Sequence, residues 1–284
     1  MQILNIKKRY NRIENNQYGS KNIENSLAML YNENSKLTKF ESKKFEDRIK
    51  AFSTSKNASK SLSPYKCYPG NSIIDLSSYS NSIINNDFIN CLSNRRSCRD
   101  FWENYKLSLN EIGTLLCNSY GVSSKVEVKS NNKDSYMGLR NVPSGGALFP
   151  LEIYLITFNS DIPPGAYHYR VDKNFLEIIK EGNFIDKLSD IVRGEPFVKV
   201  RKSSALIITT GVFERVYIKY GERGYRFMLQ ESGFVGMLIS LIAESMKLGT
   251  CMLGGYLDDE MNDFLGIDGA FESINNIIVI GKHI

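Results

Sequence analysis

An α+β domain is what this sequence predicts. Helical and strand patterns intermingle without a strict strand–helix–strand rhythm. No Gly-x-Gly-x-x-Gly follows a strand. A content of 42% hydrophobic and 24% charged residues is that of a folded globular chain. Residues 1–90 are rich in Asn, Ser and Lys; within them Ile23, Leu27, Leu30 and Tyr31 recur at helical spacing and predict one helix. Ser53 to Ser63, nearly all Ser, Lys, Asn and Ala, reads as a linker or exposed loop. Phe88 to Asn94 predicts a helix. Ser108-Leu-Asn-Glu111 is a capping box, in which the Ser hydroxyl and the Glu carboxylate satisfy each other's free N–H groups at a helix start. Ile112, Leu115 and Leu116 supply that helix with a buried stripe, and Gly121 is placed to end it. Leu151 to Phe158 alternates and is β-rich. Ala166 to Val171, a turn at Asp172-Lys-Asn174, and Phe175 to Ile179 read as a hairpin. Ala205 to Thr210 is a buried strand. Residues 225–248 form the longest helical pattern, apolar nearly all round through Phe234, Val235, Met237, Leu238, Leu241 and Ile242, and stopped by Gly249. Such a helix belongs at the centre of a fold or at a subunit interface. Asn276 to Ile280 is the last strand, and no internal repeat is found.

A length of 284 residues predicts one main domain, 87–284, behind an N-terminal extension, 1–86. No apolar run approaches the ~20 residues that cross a bilayer, and no apolar segment follows Lys7-Lys-Arg9, so a cytoplasmic protein with no membrane partner is expected. Five cysteines, odd in number and without a Cys-x-x-Cys pair, fit reduced thiols. Only two histidines, His168 and His283, are present, which argues against a metal centre or a Ser-His-Asp triad. Chemistry is then expected from a bound cofactor. Residues 1–66 carry 14 Lys/Arg against 6 Asp/Glu, a net +8, leaving −3 for the remainder of the total +5. Without an interleaved aromatic motif this is a solvated basic surface, and no nucleic-acid partner is expected.

Two segments carry the chemistry. Arg95-Arg96-Ser97-Cys98-Arg99 clusters three guanidinium forks around a hydroxyl, a set suited to a phosphate ester. Cys98 within it is a small filler. Arg140-Asn-Val-Pro-Ser-Gly-Gly-Ala-Leu-Phe-Pro150 sets two glycines before a strand, where backbone N–H groups can approach a flat ring. Phosphate at one site and a planar heterocycle at another describe flavin mononucleotide.

The pair resembles the flavin-binding signature of the nitroreductase superfamily, in its SagB/ThcOx/McbC-type dehydrogenase branch, the azoline oxidases of ribosomally made peptides. The likeness continues through Gly165-Ala-Tyr-His-Tyr169, Lys219-Tyr-Gly-Glu-Arg-Gly-Tyr-Arg226, Gly254-Gly255 and Ile280-Gly-Lys282, and more loosely back to Tyr31-Asn-Glu-Asn-Ser-Lys36 and Tyr68-Pro69-Gly70. The resemblance implies a central mixed sheet flanked by helices, a homodimer formed through the long helix, and FMN between subunits. It implies Arg95, Arg96, Ser97 and Arg99 at the phosphate and ribityl end, with Lys282 as a terminal cation near the phosphate. Ser144, Gly145 and Gly146 would run beneath the flavin ring, and Leu253, Gly254 and Gly255 on its other side. It implicates Lys219 and Tyr220 in catalysis: a neutral lysine, or a tyrosinate beside a lysine cation, can take the Cα proton of an azoline. Arg223 and Arg226 would orient an anion or pair with Glu222 or Glu231. The implied partners are a precursor peptide and a cyclodehydratase complex. The family's Gly-His and Gln-Asn in the long helix are Gly233-Phe234 and Gly236-Met237-Leu238 here, and the His of its early Tyr-His-Glu-Asn pattern is Asn32. These departures leave cofactor binding untouched and bear on the exact substrate. Two other readings stand beside this one: a general NAD(P)H-dependent nitro- or flavin-reductase, and a catalytically silent docking subunit, against which the retained Lys219-Tyr220 speaks.

Overall fold

The computed structural model describes residues 61–79, 88–130 and 133–284, with isolated positions between 31 and 58. The predicted helix at Ile23, Leu27 and Leu30 lies outside the described residues, although Tyr31 is helical. Most of the Ser53–Ser63 segment is outside them too; Ala58 and Ser61 are helical. The chain divides into two compact units, Met1–Asp47 and Arg48–Ile284. Residues 48–79, assigned from sequence to the extension, thus belong with the main domain, because Phe52 and Leu76 bury into its core and Ile73–Asp75 joins its sheet.

That sheet has seven strands. β1 (Ile73–Asp75) pairs with β6 (Phe175–Glu181), followed by β5 (Gly165–Arg170), β4 (Leu151–Thr157), β7 (Ala205–Val212), β9 (Glu272–Lys282) and β8 (Leu248–Leu253). Every ladder is antiparallel, where a mixed sheet was expected, because β4, β5 and β6 follow one another as a meander. One short parallel bridge, Ser97 to Thr250, adds the arginine segment to the β8 edge. β2 (Val122–Ser130) and β3 (Lys133–Arg140) form a separate hairpin that the sequence reading did not foresee.

The helices are α1 (Phe88–Asn94), α2 (Leu109–Tyr120), α3 (Ile185–Ile191), α4 (Phe213–Tyr220), α5 (Arg223–Ser245) and α6 (Asp258–Leu265). α2 begins at the predicted capping box, with both halves formed, and ends at Gly121. The two faces of the sheet are covered separately. Leu151, Ile153 and Leu155 meet α2 and α5, while Tyr154, Ile156 and Ile208 meet α3 and α6. β4 is therefore buried on both faces throughout its length.

α5 ends at Ser245, and the reversal is made by Lys247 at φ 57°. Gly249, the predicted stop, sits inside β8, where a Cβ would lie 2.6 Å from the Cys98 side chain. By length and composition alone α5 is apolar enough to cross a membrane, yet half of its most apolar 18-residue window is buried against the rest of the fold. It is the central core helix.

Beside β4 lies a polar network in which, among the described residues, no buried side-chain oxygen or nitrogen is left without a partner. His168, fully buried, sits between Glu152 (2.8 Å) and Glu177 (3.0 Å). Arg215 reaches Glu152 at 2.5 Å, and Arg170 reaches Glu177. Glu272 takes bonds from Lys66, Tyr154 and Thr210.

Candidate functional site

The turn between β3 and β4 contains three left-handed residues, Gly146 (φ 64°), Ala147 (φ 55°) and Phe149 (φ 44°). For Ala and Phe such angles are strained and persist only where the surroundings over-determine them. Here they do. The Ser144 hydroxyl accepts the Phe149 N–H at 2.9 Å, and the Ala147 N–H bonds the Ser144 carbonyl at 3.0 Å. Arg215, on α4, donates to the Phe149 carbonyl at 3.0 Å.

Two helices grip this turn. From α4, Lys219 and Tyr220 press on Gly146: a Cβ there would collide with the Tyr220 hydroxyl and stand 2.7 Å from Lys219 Nζ. Only glycine admits both the left-handed backbone and that approach. From α5, Phe227 packs on Gly145, and its ring meets Tyr220 edge-on at 5.0 Å. Lys219 Nζ lies 5.3 Å from the Tyr220 ring and 5.4 Å from the Phe52 ring. Arg48 closes the end of α4 by donating to the Tyr217 carbonyl. The structure therefore unites Ser144, Gly145, Gly146, Lys219 and Tyr220, which lie far apart in sequence.

The remaining predicted residues form a second group at the β8 edge. The Cys98 N–H bonds the Thr250 carbonyl at 2.8 Å and the Trp102 N–H bonds the Lys282 carbonyl at 2.8 Å, so the arginine loop is sewn to β8 and β9. Arg96, Ser97 and Arg99 are exposed and Arg95 is half-buried. Among the described residues no carboxylate pairs with any of the three arginines. Arg96 bonds carbonyls of its own loop, at Ser93 and Arg95. Lys282 is near in backbone, but its ammonium rests over the Tyr105 ring at 5.5 Å. Leu253, Gly254 and Gly255 follow β8; a Cβ at Gly254 would meet nothing within 4 Å, leaving bare backbone open. Cys98 is buried, and burial pushes its thiol up, as expected of a filler.

A planar cofactor with a phosphate tail fits this donor set: guanidinium groups that no carboxylate among the described residues neutralises at one place, and exposed glycine backbone beside a lysine–tyrosine pair at another. The two groups sit at different levels of α5. Gly145 touches Phe227, whereas Met252 meets Gly236, nine residues further along, a rise of about 14 Å.

Sequence reasoning missed Phe52, Arg215 and Phe227, and gave Glu231 only as a partner for Arg223 or Arg226. Glu231 does not serve Arg223 or Arg226 from the surface. It is buried, its Oε1 accepts from Tyr120 at 2.7 Å, and its Oε2 has no hydrogen-bond partner among the described residues. Burial pushes that carboxyl up by more than Ser144, Tyr120, Arg140 and Arg215 draw it down. Glu152 shows the reverse balance. Burial raises it too, but Arg215 and His168 outweigh that and bring it to about 2.

The nitroreductase family profile matches residues 92–282, about two thirds of the chain, which therefore belongs to the nitroreductase family. Among curated proteins it is 29% identical to the nitroreductase-like MJ1384 of Methanocaldococcus jannaschii, over 62% of this chain and 82% of that one. It is 28% identical to the microcin B17-processing protein McbC of Escherichia coli, over 60% of each. It is 25% identical to the trifolitoxin operon protein TfxC of Rhizobium leguminosarum bv. trifolii, over 61% of this chain and 50% of TfxC. The matches thus span only half to three fifths of the two toxin-operon relatives. Among solved structures, the E. coli microcin synthetase McbBCD complex with truncated pro-MccB17 aligns with a TM-score of 0.56 at 25% identity, over 76% of this chain and 77% of that one. An Anabaena variabilis nitroreductase-family crystal structure aligns with a TM-score of 0.67 at 24% identity, over 90% of this chain and 46% of that one, a likeness of fold. Relatives and fold support the peptide-processing branch, and with it an oxidoreductase.

Proposed function

We propose that this protein is an FMN-dependent dehydrogenase that oxidises thiazoline or oxazoline rings to azoles in a ribosomally made precursor peptide. The observation that carries the reading is the apposition of Lys219 and Tyr220 to Gly146. It sets an acid–base pair against the backbone on which the flavin ring would lie. Arg95, Arg96, Ser97 and Arg99 would hold the phosphate, Ser144–Gly146 and Leu253–Gly255 the ring. Bound FMN would supply the two-electron acceptor. Aromatising one ring removes a proton and a hydride. Tyr220, fixed edge-on by Phe227, is placed to take the proton, with the Lys219 cation beside it to stabilise the phenolate.

A homodimer completes the proposal. Leu229, Phe234 and Met237 on α5, with Phe88, Ile89 and Leu92 on α1, are exposed apolar side chains of two helices in contact. A two-fold contact through α5 would bring the turn of one protomer toward the β8 edge of its partner. A cyclodehydratase that makes the azolines is the expected companion, and the likeness to the McbBCD complex with truncated pro-MccB17 supports a multi-subunit assembly. The five unpaired thiols fit a cytoplasmic setting.

The test is a purified protein supplied with FMN and an azoline peptide. A yellow protein and a two-dalton mass loss per ring are expected. Lys219→Ala and Tyr220→Phe should stay yellow and slow by about 10²–10⁴-fold. Arg99→Ala should lose FMN. A protein inert on azolines but brisk with NADH and a nitroarene would move the reading to a general nitroreductase.

A further inference from the structure

We propose that Arg215 is a positioning residue: clamped by Glu152, it ties the Phe149 carbonyl to α4 and so fixes the Ser144–Phe149 turn against Lys219 and Tyr220. The inference rests on the FMN reading above.

A guanidinium fork presents its N–H groups in one rigid plane. Here Nη1 donates to the Phe149 carbonyl at 3.0 Å and Nη2 to Glu152 Oε1 at 2.5 Å. Phe149 is the last left-handed residue of the turn, at φ 44°, and it is buried. Its N–H goes to the Ser144 hydroxyl, so with Arg215 in place both backbone polar groups of this strained residue are bound. A buried carbonyl stripped of its donor is costly, and a charged donor holds it more strongly than a neutral one. Just beyond, the Val212 N–H bonds the Pro150 carbonyl at 2.8 Å, and β4 runs on from Leu151. Lys219 lies one turn further along α4 than Arg215, about 6 Å along the axis, and residues four apart share a helix face. One face of α4 therefore grips the turn twice, Arg215 at the Phe149 carbonyl and Lys219 with Tyr220 at Gly146. While the first grip holds, the second cannot slide.

The guanidinium is itself immobilised. Glu152, buried on β4, stands three residues after Phe149. His168 Nε2 lies 2.8 Å from its second oxygen, and His168 Nδ1 lies 3.0 Å from Glu177, which also accepts the Tyr68 N–H at 3.1 Å. Side chains of three adjacent strands, β4, β5 and β6, thus stand behind the clamp. A buried ion pair is by itself weak evidence of a role beyond the fold. The division of the fork is the stronger sign. A pair that served the fold alone would gain most from two prongs on one carboxylate, whereas here one prong is directed to the carbonyl of the strained residue.

The experiment compares the wild type with Arg215→Met, Arg215→Met/Glu152→Gln and Ile153→Val. It reads hydrogen exchange of residues 144–150 in apo-protein, FMN titration by fluorescence quenching, and thermal melts. Methionine matches arginine in helix propensity, so α4 should persist. Arg215→Met should speed exchange across the turn and weaken FMN, each by about ten- to a hundredfold, the effect of losing one charged hydrogen bond. Its melting temperature should fall, because Glu152 is left without its cation. Adding Glu152→Gln removes that uncompensated charge. The melting temperature should then recover toward the wild type, while turn exchange and FMN affinity stay where Arg215→Met put them. This double variant also keeps the test open if the single one fails to fold. Ile153→Val, a buried change on β4, should lower the melting temperature and leave turn exchange and FMN affinity unmoved. At saturating FMN, Arg215→Met should slow azoline oxidation yet add little to Tyr220→Phe, because both act at one contact. Turn exchange and affinity that recover with the melting temperature, an equal loss in Ile153→Val, or rate losses that multiply would overturn the proposal and leave Arg215 a counter-charge. A wild type that takes up no FMN, with turn exchange still dependent on Arg215, would uphold the clamp and overturn the cofactor reading beneath it.

Discussion

Replacing Gly146 with alanine adds one methyl group at the point where turn, lysine and tyrosine meet. Two costs follow, and they are read by different assays. A left-handed alanine is strained by about 1–2 kcal/mol, which should appear in a urea melt. The new Cβ also overlaps the Tyr220 hydroxyl and stands 2.7 Å from Lys219 Nζ. The lysine end is flexible and can give way. Tyr220 cannot move as easily, because Phe227 abuts its ring at 5.0 Å and itself packs on Gly145. A displacement on the order of 1 Å costs about a hundredfold in a positioned reaction. Stability should therefore fall modestly, the protein should keep its yellow colour, and the rate of two-dalton loss from an azoline peptide should drop about a hundredfold. Adding Tyr220→Phe removes the colliding hydroxyl, so the double variant should be little worse than Tyr220→Phe alone. Full activity in Gly146→Ala, or losses that multiply in the double variant, would refute the apposition of the pair to the turn as the source of activity.

Two further outcomes are expected. Acid stability should follow Glu152, whose carboxyl is held at about 2 in the fold against an ordinary 4.5. A depressed carboxyl stabilises above its unfolded value and loses that contribution as pH falls from about 4.5 to about 2, here on the order of 3 kcal/mol. Glu231 is raised, so its effect has the opposite sign, stability being lost as pH rises through its titration above 4.5. Urea midpoints across pH should lose the acid-side slope in Glu152→Gln and the upper slope in Glu231→Gln; unchanged slopes would contradict both assignments. For assembly, Met237→Asp or Leu229→Asp should yield monomers by light scattering, since both side chains are exposed on α5. A dimer undisturbed by either would move the interface elsewhere. Leu241, in the same apolar pattern, is buried within one protomer, and a change there would report on folding instead.

The elements that local pattern predicts were legible in the chain. The capping box at Ser108, the 165–181 hairpin, the strand from Ala205 and the long helix each carry their signal within a dozen or two residues. The β2–β3 hairpin carries none: Val122–Ser130 is mostly polar, and its strands are held by each other more than by a core. The site divided in the same way. Arg95–Arg99, Ser144–Gly146 and Lys219-Tyr220 were visible as local motifs. What joins them was not, because Glu231 to Tyr120 and Arg215 to Glu152 are partnerships across 111 and 63 residues of chain. A glutamate in the middle of an apolar helix was the one signal that could have exposed Glu231. Pairing with Arg223 or Arg226 explained it as well until the burial was known.

The strand order carries a consequence for biosynthesis. β9 lies between β7 and β8, so β8 reaches the sheet only through a strand translated after it. The arginine loop, more than a hundred residues earlier, closes in turn on β8 at Thr250 and on β9 at Lys282. A nascent chain that has emerged as far as the long helix has therefore made the arginine loop but has nothing to dock it on. Contacts this distant in sequence form late and slowly, so the β8 edge is completed only by β9, and an unfinished chain exposes a basic loop and an open sheet edge until it arrives.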